Sequence, residues 1–357
     1  MPVFSIESLK RIGCELFEAA GCRPEDAEVV VDHLVESNVF GHDSHGAIRF
    51  VEYVRGIREG LYRAATSPKV VKDRPCAAVV DGQGALGPIG ASLATNLAIQ
   101  KARTQGVASV ALRNTCHIGR VGAYPLMAAR QGLIGQIFVN AGHHGVWVAP
   151  YGGTEGRLST NPIAFAAPRR DDEPIMLDMT TSVAAIGKVW VADHRGEALP
   201  EGWIIDSKGR PSTDPKALLS EPYGAILPMG GSVGYKGYGL ALMMEVLGGA
   251  LSGQGCAIGE REVVSNGVLI TCYHIEHFVD IDSYYDEVES VIRHIRSSRP
   301  APGFDRILLP GELEFAGARE KQRDGIDIDD TTWRKICVEA RDVGLEPEKW
   351  LARDNGT

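Results

Sequence analysis

The sequence predicts an α/β protein with α+β character, and three observations carry that prediction. The opening 60 residues show only helical periodicity. From residue 68 to 139, short strand-like runs alternate with helix-like ones. Beyond that the chain breaks into Gly- and Pro-containing pieces, at 141–176 and 190–235, and never resumes regular strand–helix–strand units. A doubly wound parallel sheet is therefore not expected.

Each element follows from its residues. In 5–20, apolar side chains recur at helical spacing (Ile6, Leu9, Ile12, Leu16), and in 24–39 they do so again (Val29, Val30, Leu34, Val35). Pro24 suits a first turn and Gly41 an end. A third helix is predicted over 47–60. Strands are expected at 70–71, 77–80, 107–112, 134–139 and 268–273, with helices at 88–105, 120–131, 237–252 and 284–297. The charged run 318–330 reads as a solvated connection. A last helix at 330–343 takes Asp330 or Thr331 as its N-cap.

With 357 residues the chain exceeds what one core organises, so two or three domains are expected. The net charge of −9 gives no basic footprint for nucleic acid, so an anionic ligand needs a local site of a few cations and backbone N–H groups. No apolar run is long enough to span a bilayer, and the first ten residues lack a signal-peptide core. The seven cysteines are scattered with no CxxC pair, which argues against a disulfide framework or zinc ribbon and for a reducing cytoplasm.

Two polar knots stand out. Residues 41–49 read Gly-His-Asp-Ser-His-Gly-Ala-Ile-Arg, and residues 114–124 read Asn-Thr-Cys-His-Ile-Gly-Arg-Val-Gly-Ala-Tyr. An arginine grips a carboxylate through two parallel hydrogen bonds, and an imidazole moves protons near neutral pH. Together they point to a site that holds a small acid and shuttles a proton. Gly82-Gln-Gly84-Ala-Leu-Gly87 spells GxGxxG after a strand-like run. The next strand ends in Arg113-Asn114 rather than the acidic residue that holds a ribose, so this run is not expected to cradle a pyrophosphate. Gly230 to Gly239, with Lys236, reads either as a phosphate-binding turn or as a flexible one. His42-x-x-His45 and His274-x-x-His277 have pair spacing without a third ligand nearby, so no metal is expected.

Read in order, Ser44-His45-Gly46-x-x-Arg49, His117-Ile-Gly119-Arg-Val-Gly122-Ala-Tyr124, Ser159-Thr-Asn161-Pro162, Asp178-Met-Thr-Thr181-Ser182, Lys236-Gly237-x-Gly239 and Pro310-Gly311-Glu312 form a pattern. It resembles, nearly end to end, the malate/L-lactate dehydrogenase family of the second type, which includes ureidoglycolate, sulfolactate and hydroxycarboxylate dehydrogenases and a cyclic-imine reductase. The stretches 41–46 and 248–253 look most like the hydroxycarboxylate dehydrogenase branch.

The resemblance implies a non-Rossmann malate/L-lactate dehydrogenase-type fold. A helical domain is built from both termini (1–72 with 315–357). The remainder, 73–314, carries a largely antiparallel-sheet cofactor domain and a smaller third domain inserted at about 120–230. It implies hydride transfer between a nicotinamide and a small L-2-hydroxy acid or 2-oxo acid. NAD is the expected cofactor, with NADP open, and a cytoplasmic homodimer is the expected assembly. An NADPH-dependent reductase of cyclic or N-methyl imino acids is the alternative, and a non-catalytic ligand-binding relative a more remote one.

By the same resemblance His117 is the general acid/base, and Arg49 with Ser44 holds the substrate carboxylate. His45 bridges substrate and nicotinamide. Gly119, Arg120, Val121, Asn140, Thr160, Asn161, Asp178, Thr180, Lys236, Gly311 and Glu312 line the cofactor. Where many relatives have Asn-Ser, this chain has Asn140-Ala141, which removes a hydroxyl contact. His143 and His144 follow, left open between pocket lining and surface loop.

Overall fold

The computed structural model describes residues 2–142, 146–258 and 265–350. Helices Ile6–Ala19, Pro24–Val39 and Ile48–Arg58 open the chain. Their apolar stripes (Leu9, Ile12, Leu16; Val30, Val31, Leu34; Phe50, Val54) share one core with Phe315, Ala318, Trp333 and Ile336 from the closing helices Glu312–Asp324 and Asp330–Asp342. A short antiparallel pairing of Val3–Phe4 with Ile326–Asp327 ties the two ends of the chain together. Each fully buried Leu, Ile or Phe contributes roughly 1.5–3 kcal/mol over an exposed one. That core fixes the Ile48–Arg58 helix, which carries part of the site.

The central sheet has seven strands. Their spatial order is Lys69–Arg74, Ala77–Asp81, Val107–Thr115, Asn266–His274, Leu133–Asn140, Ile163–Ala167, Ile175–Met179. Only Ala77–Asp81 and Val107–Thr115 run parallel; every other neighbouring pair is antiparallel. Helices Gly87–Gln105 and Ala123–Ala129 cover the sheet and bury Ala94, Ala98 and Tyr124 against Val110, Ile137 and Ile270. A third, smaller core gathers Val148, Val189, Ile204, Leu218, Ile226 and Ala241. Among the described residues no helix is long and apolar enough to cross a membrane.

Four expectations need correction. The Gly/Pro stretch 141–176 holds one sheet strand, Ile163–Ala167, and the start of a second, Ile175–Met179; at five residues each, between Pro162, Pro168 and Pro174, they are too short to show an alternation. The charged run at 318–330 is largely the helix Glu312–Asp324, whose Phe315 and Ala318 are buried one turn apart. The last helix is capped by Asp329, not Asp330 or Thr331, through Thr331 N–H and Thr332 N–H at 3.0 and 2.9 Å. The helix expected over 237–252 is α-helical only over Tyr235–Met244 and widens into a π turn over Glu245–Ala250.

Candidate active site

The strand registers gather the sequence motifs at one end of the sheet. Asn266 pairs with Thr115, Gly267 with Asn140, Phe138 with Ile163, and Ile163 with Met179. The ends of four strands therefore place His117, Asn140, Asn161 and Asp178 along one edge. Asn266, buried, links two of them: its Oδ1 accepts from Ile118 N–H at 3.0 Å and its Nδ2 donates to the Asn140 carbonyl at 3.3 Å.

His117 meets the first knot there. Its ring stacks on His45 with centroids 5.5 Å apart at 26°. The His45 Nδ1 lies 3.0 Å from Ser44 Oγ, and the His117 Nδ1 lies 2.8 Å from the Tyr53 hydroxyl. Neither Nε2 has a hydrogen-bond partner among the described residues, so each ring is held by one nitrogen and presents the other. Burial is the main cause that pushes both imidazoles down, His45 to about 3 and His117 well below its ordinary range; the Arg49 guanidinium adds to it.

Arg49 sits one turn before Tyr53 on the same helix. Its Nε donates to the Ser44 carbonyl at 2.8 Å and its Nη1 to Glu52, so the guanidinium plane is fixed from two sides. Nη2 has no partner among the described residues. The 43–45 turn is itself pinned by buried Asn38, whose Nδ2 donates to Asp43 and whose Oδ1 accepts from Ala47 N–H, both at 2.7 Å. Glu52 also lines a cavity of about 270 Å³ with Ile48, Val51 and Tyr62.

The GxGxxG run serves this loop. A Cβ on Gly87 would stand 2.1 Å from the His117 carbonyl oxygen, so the helix starting there seats the backbone of His117. Gly119 (φ +77°) is equally constrained: a side chain there would collide with His33. His33 accepts from Arg120 N–H at 3.0 Å, and burial pushes its own imidazole down to about 3.

Arg120 is buried: it pairs with Glu36 at 2.8 Å and lies over the Phe40 ring at 4.5 Å, while its Nε has no partner. Val121 is also buried. Gly122 N–H donates to Asp178 at 2.7 Å. Burial raises the Asp178 carboxyl and lowers the nearby His42 imidazole, each pulled part of the way back by the other.

Asn140 and Asn161 are fully buried and converge on a residue the sequence did not single out. Glu245, buried at the start of the π turn, accepts from Asn161 Nδ2 at 2.7 Å, Asn140 Nδ2 at 2.5 Å and Ala257 N–H at 2.8 Å. Asn140 Oδ1 accepts from Gly142 N–H, and Asn161 Oδ1 from Ala141 N–H. The Thr160 carbonyl takes the Thr181 N–H and hydroxyl, and the Thr180 hydroxyl donates to the Ser182 carbonyl.

Lys236 is exposed in the first turn of the Tyr235–Met244 helix. Gly311 (φ +94°) turns the chain into the Glu312 helix beside Met176, and Glu312 pairs with Arg296 and accepts from Leu309 N–H. His143 and His144 lie outside the described residues. Among the described residues no group of three or more His, Cys, Asp or Glu side chains could hold a metal ion.

This arrangement has relatives. The chain matches the Malate/L-lactate dehydrogenase family over residues 4–337. It belongs to that family. It is 37% identical to hydroxycarboxylate dehydrogenase B of Escherichia coli O157:H7 over 354 residues, 98% of this chain and 96% of the relative. It is 38% identical to a malate dehydrogenase of Pyrococcus horikoshii over 338 residues, 91% of each. The solved sulfolactate dehydrogenase of Methanocaldococcus jannaschii superposes with a TM-score of 0.87 at 34% identity, covering 98% of this chain and all of that one (100%).

As a member of the malate/L-lactate dehydrogenase family, the chain is an oxidoreductase acting on CH–OH donors. The family implies a nicotinamide cofactor, and the donor set here fits one. The first-turn N–H groups of the Tyr235–Met244 helix have no acceptor within the helix, and exposed Lys236 belongs to that same turn, a donor set that suits phosphate oxygens. Sequence reasoning missed Tyr53, Glu245, Asn266 and Asn38. None sits in a motif; Tyr53, Glu245 and Asn266 act through partners remote in sequence, and Asn38 acts by pinning Asp43 and Ala47 in the turn that follows it.

Proposed function

We propose that the chain is an NAD-linked dehydrogenase of a small L-2-hydroxy acid that also reduces the matching 2-oxo acid. The observation that carries this reading is the stacked His45–His117 pair beside Arg49, each ring anchored through Nδ1. When bound, the nicotinamide supplies or accepts the hydride at C2. In oxidation His117 takes the hydroxyl proton on Nε2; in reduction it returns one to the forming hydroxyl. Arg49 holds the substrate carboxylate through its remaining donors, with Ser44 beside it, and His45 lies between substrate and nicotinamide.

Lys236 and the helix start at 235–237 take the phosphates. Gly119, Val121, Thr160, Thr180 and Gly311 shape the groove largely through their backbone. Arg120, Asn140, Asn161, Asp178 and Glu312 hold that groove in place through the partners described above. The chain acts as a homodimer, and its free thiols suit a reducing cytoplasm.

A panel of L- and D-2-hydroxy acids and 2-oxo acids, each with NAD(H) and NADP(H), tests the proposal by absorbance of the reduced nicotinamide. Turnover of L-hydroxy acids with NAD is expected. Turnover that requires methylamine beside the 2-oxo acid would favour the imino-acid reductase instead, and a preference for NADP would correct the cofactor.

A further inference from the structure

We infer that Tyr53 is a positioning residue that sets the proton arrangement of His117: its hydroxyl accepts from Nδ1–H and passes its own proton to the His117 carbonyl. This rests on the reading of His117 as the proton carrier. The hydroxyl lies 2.8 Å from Nδ1 and 3.0 Å from that carbonyl oxygen, and it has a single proton to give. The carbonyl is packed against Gly87 and has no other hydrogen-bond partner among the described residues. Turning the hydroxyl toward Nδ1 would leave this oxygen unsatisfied, whereas the opposite direction satisfies the hydroxyl, the carbonyl and an Nδ1–H together. The Gly119 N–H also points at Nδ1, but from 3.4 Å, beyond the usual range of such bonds.

The consequence is chemical. With the proton on Nδ1, Nε2 carries a lone pair toward the open side of the ring and is ready to accept. After it accepts, the imidazolium keeps the same two hydrogen bonds, so nothing rearranges while the proton moves. A serine-protease triad uses a carboxylate in this place; here a neutral phenol does the orienting. Tyr53 is fully buried and its hydroxyl is pushed far above its ordinary range by that burial, so it stays protonated. Among the described residues no anion meets His117 directly. The charged or titratable groups that face it are Arg49 and Tyr53 from one helix, His45 from the preceding turn and His33 from the Pro24–Val39 helix.

The test compares wild type, Tyr53→Phe and His117→Asn in steady-state reduction of 2-oxo acids across pH, with NADH affinity measured by fluorescence. In Tyr53→Phe, kcat should fall by about 10- to 100-fold, the loss typical when an orienting partner of an imidazole is removed. KM and NADH affinity should stay within about twofold. The apparent pKa of the kcat/KM profile should move lower still, because the imidazolium loses the acceptor for its Nδ1–H. A Tyr53→Phe enzyme with wild-type kcat and pH profile overturns the inference.

Nitrogen-15 spectra of the wild type give a readout independent of the variant's folding. A protonated Nδ1 with bare Nε2 at neutral pH is expected, and the opposite tautomer overturns the inference. If His117→Asn keeps turnover, the reading of His117 itself fails. If His117→Asn is dead while Tyr53→Phe is unaffected, only the role of Tyr53 fails.

Discussion

The histidine end and the asparagine end of the sheet edge are built in opposite ways. At the histidine end, the His45 and His117 rings are each anchored through one nitrogen and Arg49 through two of its donors, and all three keep at least one donor or acceptor unengaged by the described residues. At the asparagine end, Asn140 and Asn161 are fully buried, and Glu245 accepts from both of them and from a backbone N–H. Both ends are polar and both lie in family motifs. The difference separates groups that can meet a small molecule from groups that hold its container in shape.

That contrast predicts different failures. Arg49→Ala should lower kcat/KM for 2-oxo acids by about 1,000-fold, about 4 kcal/mol, because a hydrogen-bonded charge partner is lost. Thermal stability should hardly change; a large drop in melting temperature with normal kcat/KM would put Arg49 on the structural side. Glu245→Ala should do the reverse. It strands the donors of Asn140, Asn161 and Ala257, each worth roughly 1 kcal/mol or more, so urea unfolding should report a loss of about 3 kcal/mol. The pH profile of kcat should stay where it was, and a displaced profile would move Glu245 into the chemistry.

Acid sensitivity gives a smaller effect. His33 is buried, and its imidazole is held at about 3 against an ordinary value of 6.5. Above about 6.5 it is neutral whether folded or unfolded, so its contribution is complete. Between about 6.5 and 3 only the unfolded chain binds the proton, and stability falls with pH by up to about 1.4 kcal/mol per unit for that one group. Unfolding free energies measured between pH 7 and pH 5 should show at least this slope, since His42, His45 and His117 are lowered in the same way, and His33→Gln should remove one such share of it.

The smallest effect belongs to the oxidative reaction. His117 is already held well below 6.5, so it remains an acceptor, and kcat/KM for the hydroxy acid should not lose a protonation step between pH 8 and pH 6.5. Reduction needs the protonated ring and should speed up as pH falls across the same range.

Much of this was legible in the residues, for identifiable reasons. The opening helices declare themselves because Leu9, Ile12 and Leu16 repeat at the helical period and all three are buried. The knots at 41–49 and 114–124 are dense enough to stand out, and the structure stacks one on the other. Tyr53 was hidden because, inside an amphipathic helix, a tyrosine reads as core; its partner is 64 positions away. Glu245 was hidden because a glutamate in a helix reads as solvated, and nothing local shows that the helix widens and turns it inward toward Asn140 and Asn161. The GxGxxG run was informative for a different reason than its pattern suggests, since Gly87 makes room for the His117 backbone.

The central claim is that His117 moves the substrate proton while the rest of the site merely holds the reactants. Single-turnover stopped flow on His117→Asn tests it most directly, with NADH saturating and a 2-oxo acid that the wild type reduces. Hydride transfer slowed by about 100- to 10,000-fold, with NADH affinity unchanged, is the predicted result. Wild-type rates in that variant would contradict it.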